Sequence, residues 1–374
     1  MKIIFAGGGT GGHIIAGLNI AEEIKSRFQS AEIIFFGTNK EFEKRCVERK
    51  GFHFRKMKAR KWEKSLKGMF TFICVTFTSF LVSLLAIRRY SPDMVVGLGG
   101  YASVAPMIAA KVLDIPCVLL EQNVIPGKTN RFLARWVDEV YCHWRASFKW
   151  FPKAKVVRLT GTPVRKDIFK NAKSLSGNTF GLSSSKKTIL IMGGSQGAHA
   201  INEVIARSLP KLESLSGELQ MIHCTGEHDF QHIQAEYKQT NIQAFVSVFL
   251  NDMGLALNMA DLVICRAGAM TIAEITAIGI PVVLIPYPYA TDNHQYWNAM
   301  EIEKNGGGYL LQQIDLTPDK IIETIMDVFI NKERYERMRM FNRSIGIPNA
   351  AASVVDNMCR VIGVKDTQCI VSVG

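Results

Sequence analysis

Lys2-Ile-Ile-Phe-Ala-Gly-Gly-Gly-Thr-Gly-Gly-His13 decides how the rest of the chain is read. Lys2–Ala6 is a short apolar run of the kind that forms a buried strand. It passes directly into a glycine-rich turn, and a helical pattern follows over Ile15–Phe28. Strand, glycine turn and helix in that order open a βαβ unit. Glycine permits positive φ and lets an oxygen-rich ligand approach the backbone. The free N–H groups of the helix start, with the helix dipole, favour a phosphate there.

Outward from this stretch the same rhythm continues. Strands are expected at Lys2–Ala6, Glu32–Phe36, Phe52–Lys56, Met94–Gly97, Cys117–Leu120 and Glu139–Cys142, with helices such as Ser103–Leu113 between them. A second series follows at Thr188–Met192, Leu219–Cys224, Ala244–Val248, Leu262–Cys265 and Pro281–Ile285. Two doubly wound α/β domains in tandem are expected, each a parallel sheet covered on both faces. The seam falls at Gly161-Thr-Pro-Val-Arg165, giving domains over 1–164 and 165–346. Lys173–Lys187 is rich in Ser, Lys and Gly and reads as a loop. Ala350–Val361 reads as a helix, and 365–374 as a tail.

The chain has 374 residues, 48% of them hydrophobic and 21% charged, which excludes disorder, collagen and coiled coil. A net charge of +12 favours an anionic partner: nucleic acid, an acidic membrane or a phosphorylated substrate. None of the 8 cysteines forms a C-x-x-C pair, and most have apolar neighbours. They read as buried thiols of a reducing compartment, not as a disulfide frame or a zinc site. The N-terminal apolar run is too short for a signal peptide, so a cytosolic or cytosol-facing protein is expected.

Four glycine turns stand at expected strand ends: Gly7–His13, Gly97-Leu-Gly-Gly-Tyr101, Gly193-Gly-Ser-Gln-Gly-Ala198 and Arg266-Ala-Gly-Ala-Met-Thr271. One alone is equally explained by tight strand-to-helix packing. Four at strand carboxyl ends, where open α/β sheets bind ligands, point to anion-binding turns lining an interdomain cleft. Gly7, Gly9 and Gly12 also match G-x-G-x-x-G, so an NAD-dependent oxidoreductase is an alternative. Its fingerprint wants an acid at the end of the second strand, and the first acid beyond Phe36-Gly-Thr-Asn-Lys40 is Glu41.

His13, beside the first turn, either packs there or serves as a general base. Glu121-Gln-Asn123 either starts a loop or recognises hydroxyls. Glu274 lies one helical turn after Thr271 and is a solvated carboxylate or a ligand for a ribose diol. Asp292-Asn-His-Gln-Tyr296 offers several hydroxyl-binding groups. No Asp-x-Asp stands where a diphosphate-bound metal would need it, and no His/Cys cluster has zinc spacing.

These residues together resemble the MurG family of bacterial transferases, which move N-acetylglucosamine from UDP-N-acetylglucosamine to lipid I. The resemblance rests on Gly8-Gly-Thr-Gly-Gly-His13, Gly99-Gly-Tyr101, Glu121-Gln-Asn123, Gly161-Thr-Pro-Val-Arg165, Gly193–Ala198, Phe249-Leu-Asn-Asp-Met253, Cys265–Glu274 and Gln295-Tyr-Trp-Asn298. They occur in family order over roughly residues 1–350. The resemblance implies a GT-B fold, two Rossmann-like domains separated by a deep cleft, with a C-terminal helix at about 347–364 crossing back to the first domain. It implies no metal and no cofactor.

It also implies roles. Arg165, Ser195 and Leu250 match positions around the uracil and phosphates. Ala269, Met270, Thr271, Ile272, Ala273 and Glu274 match the segment cradling the nucleotide, with Glu274 on the ribose. Gln295 matches a reader of the sugar hydroxyls, and Asn123 reaches the donor from the N-terminal domain. Thr10, Gly11 and Gly12 lie in a loop facing both sugars, Gly99, Gly100 and Tyr101 match the acceptor side, and His13 matches the candidate base. The family often has two glutamines where this chain has His294-Gln295, and Ala290-Thr-Asp-Asn is also unusual. Another GT-B nucleotide-sugar enzyme and a non-catalytic UDP-sugar binding module remain alternatives.

Met69–Ile87 is a run of 19 uncharged, mostly apolar residues, about 28 Å long as a helix. By length a transmembrane span is one reading, but its place between two strands of one sheet argues for a crossover helix, and an ordinary buried helix with solvated ends is the alternative to a membrane-docking one. Around it stand Arg55, Lys56, Lys58, Arg60, Lys61, Lys64, Lys67, Arg88 and Arg89 against Glu63 alone. An apolar surface ringed by cations reads as docking on an anionic leaflet. The expectation is a peripheral protein on the cytoplasmic face of the inner membrane, reaching lipid I there, with no nucleic-acid partner.

Overall fold

The computed structural model describes residues 1–9, 11–60, 65–169, 179–194 and 197–364. Two compact units emerge: Met1–Val164 with the residues from Asn349 onward, and Arg165–Pro348. Thr10, Lys61, Lys64, Ser195 and the tail 365–374 lie outside the described residues.

The first unit holds a seven-stranded parallel sheet of β1 (Lys2–Gly7), β2 (Glu32–Gly37), β3 (His53–Lys56), β4 (Met94–Gly99), β5 (Cys117–Glu121), β6 (Glu139–Cys142) and β7 (Val157–Leu159). Their order is β3-β2-β1-β4-β5-β6-β7, so the winding reverses between β1 and β4. β4 runs two residues past the expected Gly97, because a register shift opposite Ala6 and Gly7 carries the pairing on to Gly99. Apolar side chains cover both faces: Phe5, Ile14, Ile20, Phe35 and Val96 on one, Ile4, Phe36, Ile87, Val95 and Leu119 on the other.

The helix Ala350–Ile362 adds Val354, Val355, Met358 and Cys359 to the first of these cores. It lies against the helix Gly11–Arg27, and Arg27 pairs with Asp356 across the contact.

The second unit repeats the plan with β8 (Lys187–Met192), β9 (Leu219–Cys224), β10 (Gln243–Ser247), β11 (Leu262–Cys265), β12 (Val282–Leu284) and β13 (Gly308–Leu310). The order is β10-β9-β8-β11-β12-β13, all parallel, with its reversal between β8 and β11. β7 and β13 escape the sequence reading because each has three residues, too short to display a period of two. Of the expected loop Lys173–Lys187, residues 173–178 lie outside the described residues, and Thr179 and Phe180 are helical. Phe180 is buried, its ring 5.0 Å from that of Phe245.

Met69–Ile87 lies in the helix Leu66–Tyr90, which connects β3 to β4 within one sheet. Its segment Gly68–Tyr90 is long and apolar enough to cross a membrane by length and composition. Ala86 and Ile87 pack on the sheet, while Phe70, Ile73, Phe77, Leu81, Val82 and Leu85 face outward. Cys74 is exposed on the same helix and Cys46 is half-buried, so the expectation of buried thiols fails at both. At Cys74 the apolar neighbours are themselves part of an uncovered surface.

Candidate active site

Both sheets reverse where glycine turns leave adjacent strands, and ligands of open α/β sheets bind at such switch points. In the second unit the turns after β8 and β11 frame an open cavity of about 580 Å³. Two helices begin on its wall: His199–Leu212 at Ala198, His199 and Ala200, and Ala269–Ile278 at Gly268 and Thr271. Neither has an acid in its first turn. Their unpaired N–H groups and aligned dipoles give the cavity the electrostatics of an anion site. Gly197 has φ +77, and a side-chain carbon there would sit 2.1 Å from the Thr225 carbonyl oxygen, so the turn needs glycine.

Thr271 and Gln295 line this cavity. Gln295 turns its Oε1 to the Tyr287 N–H at 2.9 Å, and His294 bonds the Thr291 carbonyl through Nδ1 at 2.7 Å. Asp292 and Asn293 just before them both have φ 52, a left-handed pair that sets this segment's path. Met270, Ile272 and Ala273 bury their side chains, so only their backbone is available to a ligand.

Arg165, Leu250 and Glu274 are not on the cavity wall. Glu274 is 4% exposed, and Arg165 donates from Nε to its Oε1 at 2.7 Å. Burial raises the Glu274 carboxyl above its ordinary range, and the Arg165 charge opposes that shift. The solvated-carboxylate reading of Glu274 is therefore excluded. Leu250 is buried just beyond β10.

In the first unit the turns after β1 and β4 meet. Gly8 N–H points at the Gly99 carbonyl, 3.5 Å away. Gly100 has φ +76, and a side-chain carbon there would meet the Gly8 carbonyl oxygen at 2.4 Å. The His13 ring lies over these turns, with Nε2 3.3 Å from where a Gly99 side chain would begin and Nδ1 3.5 Å from that of Gly100. The ring of Tyr101 covers Gly9. The helix begins at Gly11, four residues before the expected Ile15, so Gly11, Gly12 and His13 form its first turn and are not a loop. Glycine is a weak helix former, but at a helix start the ligand-facing N–H groups, not propensity, dominate.

Two buried carboxylates hold the surrounding loops. Glu43 accepts the Gly9 N–H at 2.6 Å and the Thr38 N–H at 2.8 Å. Glu121 accepts Asn123 N–H at 2.9 Å, Gly127 N–H at 3.1 Å and Asn130 Nδ2 at 2.9 Å. Burial raises the Glu121 carboxyl, and these hydrogen bonds oppose the shift. Glu121 thus organises its loop and is not itself exposed to a substrate's hydroxyls. Glu43 also weakens the dinucleotide alternative: its carboxylate takes a glycine-turn amide that a pyrophosphate would need.

Residues 3–142 match the Glycosyltransferase family 28 N-terminal domain, and residues 188–354 its C-terminal domain. The chain belongs to glycosyltransferase family 28. Its relatives include proteins of Geotalea uraniireducens (37% identical, covering 96% of this chain and 98% of that one) and Syntrophus aciditrophicus (38%, covering 97% and 99%). Both are named UDP-N-acetylglucosamine--N-acetylmuramyl-(pentapeptide) pyrophosphoryl-undecaprenol N-acetylglucosamine transferase. MurG of Acinetobacter baumannii superposes with a TM-score of 0.75 at 27% identity, over 96% of this chain and 99% of that one. A UDP-GlcNAc 2-epimerase of Neisseria meningitidis shares the fold at 16% identity, TM-score 0.68, over 96% and 100%. The fold is GT-B.

Family 28 membership leaves no place for the oxidoreductase reading. The fold brings further side chains to the two switch points, among them Arg266, to which the sequence assigns no role. Arg266 lines the cavity and donates to the carbonyls of Ile285 (3.2 Å) and Pro286 (3.1 Å) and to Gln313 Oε1 (2.7 Å). His199, Tyr287 and Gln313 also line it. A charged residue directly after an apolar strand was the available signal for Arg266. Glu43 gave none, since its role depends on a hydrogen bond 34 residues away.

Proposed function

We propose that this chain transfers N-acetylglucosamine from UDP-N-acetylglucosamine to the C4 hydroxyl of the N-acetylmuramoyl unit of lipid I, forming lipid II for peptidoglycan. The observation that carries this reading is the cavity at the C-terminal switch point, walled by two acid-free helix N-termini. That is the environment a nucleoside diphosphate requires. The names of relatives similar over nearly the full chain supply the sugar and the acceptor.

The donor linkage is α and the product linkage β, so one in-line displacement suffices. The acceptor O4 attacks C1, the C1–O bond to the β-phosphate breaks, and UDP leaves. His13 takes the hydroxyl proton, its ring steadied against Gly99 and Gly100. Charge growing on UDP is met by the preorganised N–H groups of the helices starting at His199 and Ala269. Backbone of the segment Ala269–Glu274 holds the nucleotide, Glu274 the ribose, and Gln295 the sugar. Asn123, fixed by Glu121, completes the donor contacts, and Gly99, Gly100 and Tyr101 receive the acceptor.

The protein works peripherally on the cytoplasmic face of the cell's inner membrane. Phe70, Phe77 and Leu85 project outward from a helix that carries Arg88 and Arg89 in its last turn and is preceded by a basic stretch, which suits an anionic leaflet. The deciding experiment measures UDP release from UDP-N-acetylglucosamine with and without a lipid I analogue. Acceptor-dependent release is expected. Binding of UDP-N-acetylglucosamine without turnover would instead identify a non-catalytic binding module.

A further inference from the structure

His199 opens the helix His199–Leu212, lines the cavity, and has a side chain 74% exposed. Its Nδ1 lies 2.9 Å from Asp229 Oδ1. Asp229 is fixed in turn from the core: its Oδ2 accepts Asn202 Nδ2 at 2.6 Å. Asn202 Oδ1 lies 3.0 Å from His223 Nε2, and His223 Nδ1 lies 3.1 Å from the Tyr237 hydroxyl. Asn202 and His223 are fully buried. An exposed histidine on the cavity wall is thus oriented by a chain of hydrogen bonds reaching into the protein interior. With Nδ1 turned to Asp229, Nε2 is an acceptor on the neutral ring and a second N–H donor on the imidazolium.

Among the described wall residues, Arg266 is the other side chain able to carry positive charge, and its guanidinium is engaged by two carbonyls and Gln313. Arg165, off the wall, is paired with Glu274. We infer that His199, oriented by Asp229, is a positioning residue whose imidazolium receives the donor's diphosphate, making donor affinity pH-dependent. This inference rests on the UDP-sugar reading of the cavity.

The sign follows from the chemistry. The imidazolium offers a charged N–H to phosphate oxygen, and the neutral ring loses the charge. Burial works against the Asp229 charge, yet its bonds from Asn202 and His199 hold its carboxyl below the ordinary range. Other charged or titratable groups stand near this pair. His228 acts on Asp229. Arg266 and Tyr287 stand on the cavity wall. One turn along the helix, Glu203 pairs with Arg207 and His232.

The test is calorimetric titration of the full chain with UDP-N-acetylglucosamine, whose diphosphate diester keeps its charge, between about pH 5.5 and 8.5, spanning the imidazole range. Wild-type affinity should fall as pH rises. His199→Gln should bind about tenfold more weakly at the acid end and lose the slope, the size of a charge-assisted hydrogen bond. His199→Lys should recover affinity and remain flat, and His228→Gln should keep the wild-type slope. Thermal midpoints confirm that the exposed substitutions leave the fold intact. A His199→Gln protein with wild-type affinity and slope overturns the inference. Failure of the wild type to bind UDP-N-acetylglucosamine at any pH overturns the donor reading itself.

Discussion

Arg165 Nε donates to Glu274 Oε1 at 2.7 Å within the second unit, joining its first residue to the helix that carries the nucleotide-binding segment. Two residues expected to serve the donor separately hold each other. Arg165 fixes one carboxylate oxygen, and Glu274 is presented by a scaffold that depends on the pair.

Glu274→Ala should therefore act twice. UDP affinity should fall about tenfold, as expected for losing a charged hydrogen bond. The thermal midpoint should also drop, because Arg165 loses its partner. Arg165 is 28% exposed, so water screens part of that cost. Arg165→Ala should lower the midpoint too, and the double variant should show less than the sum of the two drops. Unchanged UDP affinity removes Glu274 from the donor site; additive midpoints dissolve the coupling.

His13→Ala should lower turnover by roughly 100-fold or more, the scale of general-base catalysis, while UDP affinity stays at the wild-type level. Single-turnover kinetics with a soluble acceptor analogue separates the two. Wild-type turnover would return His13 to a packing role beside Gly99 and Gly100.

Glu43→Ala removes the acceptor for the Gly9 and Thr38 N–H groups in a site where Glu43 is 1% exposed. Each buried donor left unpaired costs about 1–3 kcal/mol. Turnover and the stability of the first unit should fall together, with UDP binding spared. Glu43→Gln, which keeps an acceptor oxygen, should fall in between. Equal stability of all three proteins by thermal denaturation would contradict the role assigned to Glu43.

Acid should destabilise the chain through two buried histidines. Burial pushes His143 down to about 4 and His223 down to about 3, from an ordinary 6.5. His143 Nδ1 accepts the Thr162 N–H at 3.0 Å, which requires the neutral ring. Below pH 6.5 the unfolded chain takes up protons that the folded chain refuses, so stability falls as pH drops toward these depressed values. Chemical denaturation between pH 7 and 4 should show this loss, and His143→Gln should make it shallower. An unchanged pH profile in that variant would exclude His143 as a contributor.

Membrane docking should be electrostatic and apolar at once. Phe70, Phe77 and Leu85 are 70%, 59% and 70% exposed on the crossover helix. Their replacement by Ser should weaken binding to anionic vesicles without loss of UDP affinity. High salt should release much of the wild-type protein, since screening acts over about 8–10 Å. Retention that needs detergent whatever the salt or lipid charge would contradict peripheral docking.

Local pattern determined much of this protein. Short apolar runs, four of them leading into glycine turns, disclosed eleven strands and the two-domain plan, since a strand buried on both faces must be apolar. The exposed helix after β3 was also legible, because charge flanking an apolar run is a property of sequence alone. Tertiary structure decided what the motif residues do. Glu43 meets Gly9 across 34 positions, Arg165 meets Glu274 across 109, and His199 meets Asp229 across 30. A carboxylate's role depends on which donor the fold brings within about 3 Å of it and how far water is excluded, and neither is encoded in any local stretch.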